Sequence, residues 1–239
     1  MLSQAFLKAV HPEPTRTIRR TVEPPGRIDM RRRTAAKHQK QQHVPVTAKQ
    51  YKRTVQEYAP TFRKKLAIMG DISGSMGGAQ EPLGVARWML TEAMSRVGGQ
   101  TAAVLFGHNA HPIQKVGQKV KQVEVYGAYD GHENYAEAFS MLDGALDLID
   151  GDGARLLVCI TDGHFNLPEA VDYAELTMDM CRTAGVGVLW VNVSGYFARG
   201  DAYGHGSIVE AHNLTPVQFA QVIGRAVSEE FRKASRVAA

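Results

Sequence analysis

The sequence is short of several things, and each shortage closes off a class of protein. Only two of its 239 residues are cysteine, Cys159 and Cys181, the first in an apolar run and the second in a helix-like pattern. Such a pair makes no disulfide framework, and both read as buried free thiols. No apolar stretch approaches the ~20 residues that a membrane-spanning helix needs. The opening "MLSQAFLKAVHPEP" has a short apolar patch with no basic segment before it, a poor export signal. A cytoplasmic location with no membrane contact is therefore expected. Acidic residues are scarce at the start: residues 1–65 hold 16 Lys and Arg against 4 Asp and Glu, whereas residues 66–239 hold 12 against 20. A stretch of +12 thus precedes one of −8. Such segregation suits a tail that meets an anionic partner or folds back on its own domain.

Residues 1–62 read as a basic, partly extended arm and connector. "HPEPTRTIRRTVEPPGRIDMRRR" has Pro pairs, alternating charge and little periodic apolar content, so extended or poorly ordered structure is expected. "AAKHQKQQ" is compatible with a helix but has no apolar face to bury. Tyr51, Val55 and Tyr58 recur at i, i+4 and i+7 and suggest a short amphipathic helix, which Pro60 would end.

From residue 63 to 239 the pattern alternates strands and helices. "KLAIM", "QTAAVLFG", "ARLLVCIT" and "VGVLWVNV" read as buried strands, "KQVEVY" as an edge strand and "SIVEA" as a further one. Helices are expected over "EPLGVARWMLTEAMSRV", with Val85, Met89 and Ala93 as its apolar face, and over "NYAEAFSMLDGALDLI", with Phe139, Leu142 and Leu146. Two more are expected over "LPEAVDYAELTMDMCRTA" and over "TPVQFAQVIGRAVSEEFRKAS", the last with Thr215 as N-cap and Pro216 in its first turn. This order predicts an α/β fold: a doubly wound, mostly parallel, Rossmann-like central sheet with helices on both faces.

In such sheets ligands bind beyond the carboxyl ends of the strands, near a topological switch point. Three loops fall there: "GDISGSMGG", "YDGHENY" and "TDGHFN". The first lacks the Lys of a phosphate-binding loop, and Asp71 would repel phosphate. Neither of its serines has the flanking glycines of a nucleophile elbow. A cation site fits better. Asp71, Ser73 and Ser75 are spaced by two, so in a near-extended loop they point to one side. One carboxylate and two hydroxyls are the hard oxygen donors that Mg²⁺ prefers. Gly70 and Gly74 would let the chain curl around the ion, and Asp162 offers a second carboxylate. Taken singly, Asp71 and Asp162 read equally well as caps of the helices that follow, and the serines as turn residues.

"DISGSM", followed about ninety residues later by "ITDG", resembles the Asp-x-Ser-x-Ser and Thr-Asp-Gly motifs of von Willebrand factor type A (VWA) domains. The resemblance spans roughly Arg63 to Ala234. It implies a metal-ion-dependent adhesion site (MIDAS) with Asp71, Ser73, Ser75 and Asp162. Mg²⁺ is the ion implied, with Mn²⁺ or Ca²⁺ as substitutes, and a partner protein's carboxylate completes the coordination. In the middle loop the family has Gly-Gly-Thr, where the Thr is a ligand; here Glu133 stands in that place. Glu133 either ligates, giving three carboxylates and an ion less in need of an outside acid, or turns away as the N-terminal residue of its helix. The flank "PPGRIDMRRR…FRKKLAIMGDISGSM" resembles the basic connector of cobaltochelatase-like and magnesium-chelatase-like VWA subunits, whose partner is a MoxR- or chelatase-type AAA+ ATPase.

The expectation is a non-enzymatic protein-binding module that engages a partner, such as an AAA+ ATPase, through a Mg²⁺-dependent face. The alternatives are an accessory subunit of a metal-chelatase-like complex, or a nucleic-acid-associated protein acting through the basic arm. The arm lacks the interleaved aromatics of single-strand binders. His108 and His111 have no third ligand nearby, which favours a solvated turn. His132 and His164 follow the site loops and read either as lining its mouth or as exposed loop residues. Trp88 and Trp190 are expected in the core. Tyr196, Phe197 and Tyr203, in the Gly-rich stretch after a strand, are candidates for a contact surface.

Overall fold

Alternating β-branched and basic residues turn much of the basic segment into strands. In the computed structural model, which describes residues 15–57, 63–164, 168–193 and 206–237, this segment holds β1 (Thr15–Thr21), β2 (Arg27–Ile28), helix α1 (Met30–Gln41) and β3 (Tyr51–Glu57). The central strand, β3, runs antiparallel to both others, in the order β1-β3-β2. The helix expected from Tyr51 and Val55 is therefore a strand. "YKRTV" combines an aromatic with two β-branched residues, and cross-strand pairing overrides a three-point helical spacing. Tyr58 and Pro60 lie outside the described residues. Two compact units divide the chain: His11–Thr61, and Phe62–Ala239 together with Met1–Val10.

The second unit is built on β4 (Lys64–Asp71), β5 (Gln100–Phe106), β6 (Ala110–Gln114), β7 (Ala154–Thr161), β8 (Gly187–Asn192) and β9 (Ser207–Glu210). They form one sheet in the order β6-β5-β4-β7-β8-β9, parallel except for β6. Four helices follow the strands: α2 (Gln80–Arg96), α3 (Tyr135–Leu146), α4 (Pro168–Ala184) and α5 (Pro216–Val237). Every residue of β4 and of β7 is buried, as parallel strands covered on both faces require. In β4, Leu66 and Ile68 join the layer under α2 and α5, while Ala67 and Met69 join the layer under α3 and α4. The doubly wound α/β architecture read from the sequence is the one observed.

Three local expectations differ. "KQVEVY" is not an edge strand: Val123 and Val125 are exposed, and the segment lies on α2, where Arg87 donates to Glu124 at 2.8 Å. The sheet edge is taken instead by β6. That strand contains Pro112, which is tolerated there because an edge strand needs fewer ladder donors. The buried face of α2 is Leu83, Ala86, Arg87, Leu90 and Met94, with Ala93, rather than one led by Val85 and Met89. Trp88 is only half-buried, whereas Trp190 is fully buried. Thr215 caps α5 as expected: its hydroxyl donates to Gln218 Oε1 (2.8 Å) and its carbonyl accepts from Phe219 N (2.9 Å).

Candidate functional site

The chain leaves β4 for β5 on one side and later returns to β7 on the other. The order reverses at β4, so the carboxyl ends of β4 and β7 border the switch-point crevice. Asp71 is the last residue of β4, and Asp162 follows Thr161, the last of β7.

Asp71 is 0% exposed. Its Oδ1 accepts from the Ser73 backbone N–H at 2.8 Å, and its Oδ2 accepts from the Thr161 hydroxyl at 2.6 Å. Burial pushes its carboxyl up to about 7; the hydrogen bonds from Thr161 and Ser73 oppose that, and the nearby Asp162 charge adds to it. Among the described residues, no basic side chain is one of the groups that act on it. Ser73 is buried and Ser75 exposed, and their hydroxyl oxygens are 3.1 Å apart. The loop thus runs from a buried carboxylate to a hydroxyl that meets solvent. Asp162 is also buried, and its Oδ1 accepts from His164 N at 3.0 Å.

Neither carboxylate caps a helix. The N-cap of α2 is Ala79, with no side-chain bond, and α4 begins at Pro168, six residues beyond Asp162. The cap reading of the two carboxylates is thereby removed, whereas Ser73 and Ser75 are turn residues as that reading had them: Gly74–Gly78 form a 3-10 turn with Ser73 at its start. Gly70 serves space rather than curvature: a Cβ there would come within 2.8 Å of Leu105 Cδ2. The left-handed turn is at Gly163, with φ of +75°, directly after Asp162.

The middle loop is tied to the first by a parallel bridge between Ser73 and Asp130. Gly74 N donates to Asp130 O at 2.8 Å, and Asp130 Oδ2 accepts from His108 N at 3.1 Å. Three residues on, Glu133 is buried. It is not the N-terminal residue of its helix. Helix α3 starts at Tyr135, and Asn134 is its cap, accepting from Glu137 N. The reading that makes Glu133 the N-terminal residue of its helix is thereby corrected: Asn134 holds the cap position, and Glu133 is buried just before it.

The donors here are carboxylates and hydroxyls, the set that Mg²⁺ prefers. Among the described residues no three His, Cys, Asp or Glu side chains gather in a way that would hold a metal. Asp71, Ser73 and Ser75 thus share one loop, and Asp71 and Asp162 end neighbouring strands, but Asp71, Glu133 and Asp162 are not gathered as a three-carboxylate group. The two thiols are buried and free, with Cys159 raised above the usual thiol range by burial and Cys181 pushed up to about 12 by the same cause. His108, His111, His132 and His164 are exposed, and the rings of His108 and His132 lie 5.7 Å apart. Tyr196, Phe197 and Tyr203 lie outside the described residues.

Two residues with clear roles carried no assigned function in the sequence. Thr161 holds Asp71 across the crevice, and Asp130 pins the middle loop to the first. Thr161 stands in "ITDG", which was a usable signal. Asp130 works mainly through its backbone, so its side-chain identity gave little away.

No family model and no curated protein matches the chain. Solved structures similar to it include proximal thread matrix protein 1 from the mussel byssus, at 16% identity over 73% of this chain and 46% of that one, with a TM-score of 0.48. The VWA domain of SpRpn10 is similar at 10% identity over 68% of this chain and 94% of that one (TM-score 0.45). The ArnB paralog VWA2 from Sulfolobus acidocaldarius is similar at 16% identity over 71% and 46% (TM-score 0.49). The chain spans less than half the length of the mussel and Sulfolobus proteins, and likenesses this distant say nothing of what it binds.

Proposed function

We propose that the unit from residue 63 to 239 is a VWA-type protein-binding module without enzymatic activity, whose contact face centres on a divalent cation at the tips of β4 and β7. The observation that carries this reading is Asp71: a carboxylate with no exposed surface, no basic partner among the described residues, and two serine hydroxyls beside it in the loop. A buried carboxylate of this kind is costly unless something positive completes it. Mg²⁺ would supply that charge, along with a coordination position for an acidic group of the partner. Asp71, Ser73, Ser75, Glu133 and Asp162 would hold the ion. Thr161 keeps Asp71 in place, and the exposed Ser75 marks the side from which a partner approaches.

Glu133, buried in the middle loop but not gathered with Asp71 and Asp162, would have to be drawn in by the ion. The set would then hold three carboxylates, and the net charge at the ion would be lower than with the family's Thr. The partner's acid then contributes less of the affinity, and the surrounding surface contributes more. The partner class, from the likeness of the flanking sequence to chelatase-type subunits, is a MoxR- or chelatase-type AAA+ ring ATPase.

The test is co-sedimentation of the full chain with such an ATPase in Mg²⁺ and in EDTA. Capture is expected in Mg²⁺ only, and Asp71→Ala should lose it while keeping the circular dichroism of the wild type. Capture that EDTA leaves unchanged would refute the cation-dependent reading.

A further inference from the structure

The unit from His11 to Thr61 has a feature that the cation site does not use. In the register of its sheet, Arg20 of β1 faces Lys52 of β3, and Lys52 on its other side faces Arg27 of β2. Three cations therefore form one rung across three strands, over ~10 Å at the usual strand spacing. All three side chains are exposed. Like charges directly opposite each other destabilise a sheet. The nearest compensation is Asp29, whose Oδ2 is 4.0 Å from Arg20 Nε. Among the described residues, no carboxylate pairs with Lys52 or Arg27.

A second placement works against the fold in the same way. Arg31, Arg32 and Arg33 occupy the first turn of α1, where the one carboxylate is that of the N-cap Asp29, which makes no side-chain cap bond. The helix dipole is positive at that end, so three cations there cost stability. The unit has little with which to offset these costs, since Ala36 is its one buried apolar residue among those described. Positive charge concentrated where an isolated fold disfavours it points to a polyanion that relieves the repulsion when bound.

The apolar and aromatic content narrows the class of partner. Ile18 lies on the same face of the sheet as Arg20, and Ile28 on the opposite face, as strand alternation requires. The unit's other exposed large apolar residues among those described, Met30 and Val44, lie at the start of α1 and just past its end, and apolar residues scattered in this way do not make the apolar centre of a protein interface. The described part of the unit contains one aromatic residue, Tyr51, and it is half-buried, so stacking on unpaired bases has no platform. What remains is phosphate recognition on a duplex, where charge density is about one per 1.7 Å of axis.

We propose that the rung of Arg20, Lys52 and Arg27, with the arginines at the start of α1 adding to the positive charge of the unit, binds the phosphate backbone of double-stranded nucleic acid without base preference. This role is separate from the cation site, and Asp71→Ala should leave it intact.

The test is fluorescence anisotropy of the full chain with a labelled 20-base-pair DNA duplex of random sequence, from 50 to 300 mM NaCl. The expected slope of log affinity against log salt lies between about −3 and −5, for three to six phosphates at ~0.9 each. The triple variant Arg20→Gln, Arg27→Gln, Lys52→Gln should bind at least tenfold more weakly at 100 mM and flatten the slope by about 2 to 3, with Lys52→Gln alone flattening it by about 1. Because these changes remove repulsion, circular dichroism should show the variants folded. Lys115→Gln, Lys119→Gln, Lys121→Gln, with equal charge loss in the other unit, should change affinity less than twofold. Four results would overturn the proposal: no duplex binding at 50 mM, equal effects of the two triple variants, preference for phosphatidylserine vesicles, or equal rung-dependent binding of poly-glutamate.

Discussion

Asp71 is ionised at neutral pH only against the resistance of its surroundings. Its carboxyl, ordinarily near 3.8, is pushed up to about 7, chiefly by burial. In the metal-free protein the native state therefore binds more protons than the unfolded chain between pH 4 and 7. Stability falls as pH rises through that window, and the full cost is felt above pH 7. Asp71→Asn removes the titration while keeping an acceptor for Ser73 N. In EDTA the stability of this variant relative to the wild type is expected to rise by up to about 4 kcal/mol from pH 4 to pH 8, since each tenfold change in proton affinity is worth ~1.4 kcal/mol. Near pH 4 the variant should gain nothing, since its amide nitrogen cannot accept the Thr161 hydroxyl. Urea denaturation across pH checks this, and a relative stability that does not rise with pH would contradict it. The placement of Asp71 and Asp162 at the ends of β4 and β7 was legible in the sequence because each closes a continuous apolar run; the 3-10 turn over Gly74–Gly78, in place of a near-extended loop, was not. Thr161 and Asp130 were harder to read, because their roles depend on hydrogen bonds from segments 90 and 56 residues away in sequence.

At the scale of elements, α2 shows how a covering segment changes which face is buried. Arg87 is 1% exposed, yet it reaches Glu124 at 2.8 Å and lies 5.4 Å from the centre of the Tyr126 ring. Tyr126 in turn donates to Glu124 at 2.7 Å. This clamp holds residues 123–126 on the helix, and Gly84 makes room for them: a Cβ there would come within 2.1 Å of Glu124 O. In an exposed helix, Gly84→Ala would add ~1 kcal/mol of stability. Here it is expected to cost about 1–3 kcal/mol, because backbone must move. A raised melting temperature would show that the segment is not seated there. The periodicity of α2 could not reveal this. A hydrophobic pattern takes Arg87 for solvent-facing, and only the segment folding back across the helix explains its burial. The same limit hid β3, where pairing with β1 and β2 overrode a helical spacing.

At the scale of the molecule, the strand and helix order of the α/β unit was read almost completely from the sequence. Parallel strands buried on both faces give continuous apolar runs, and their alternation with helices admits few topologies. The charge division was equally plain, but the secondary structure of the basic segment was not, since it is set by pairing rather than by apolar content. The α/β unit carries both of its apolar layers within residues 66–234. A chain of residues 62–239 is accordingly expected to unfold cooperatively, with the native circular dichroism of its helices retained. Loss of cooperative unfolding on this truncation would contradict an independent core.

The central claim is that the tips of β4 and β7 hold a divalent cation. Titration calorimetry of the full chain with Mg²⁺, and then Mn²⁺, at pH 6 and pH 8 tests it directly. One ion per chain is expected, bound more tightly at pH 8 as Asp71 sheds its proton, and Asp71→Ala should weaken binding more than tenfold with its fold intact. An absence of binding heat at both pH values, or undiminished binding by Asp71→Ala, would contradict the account.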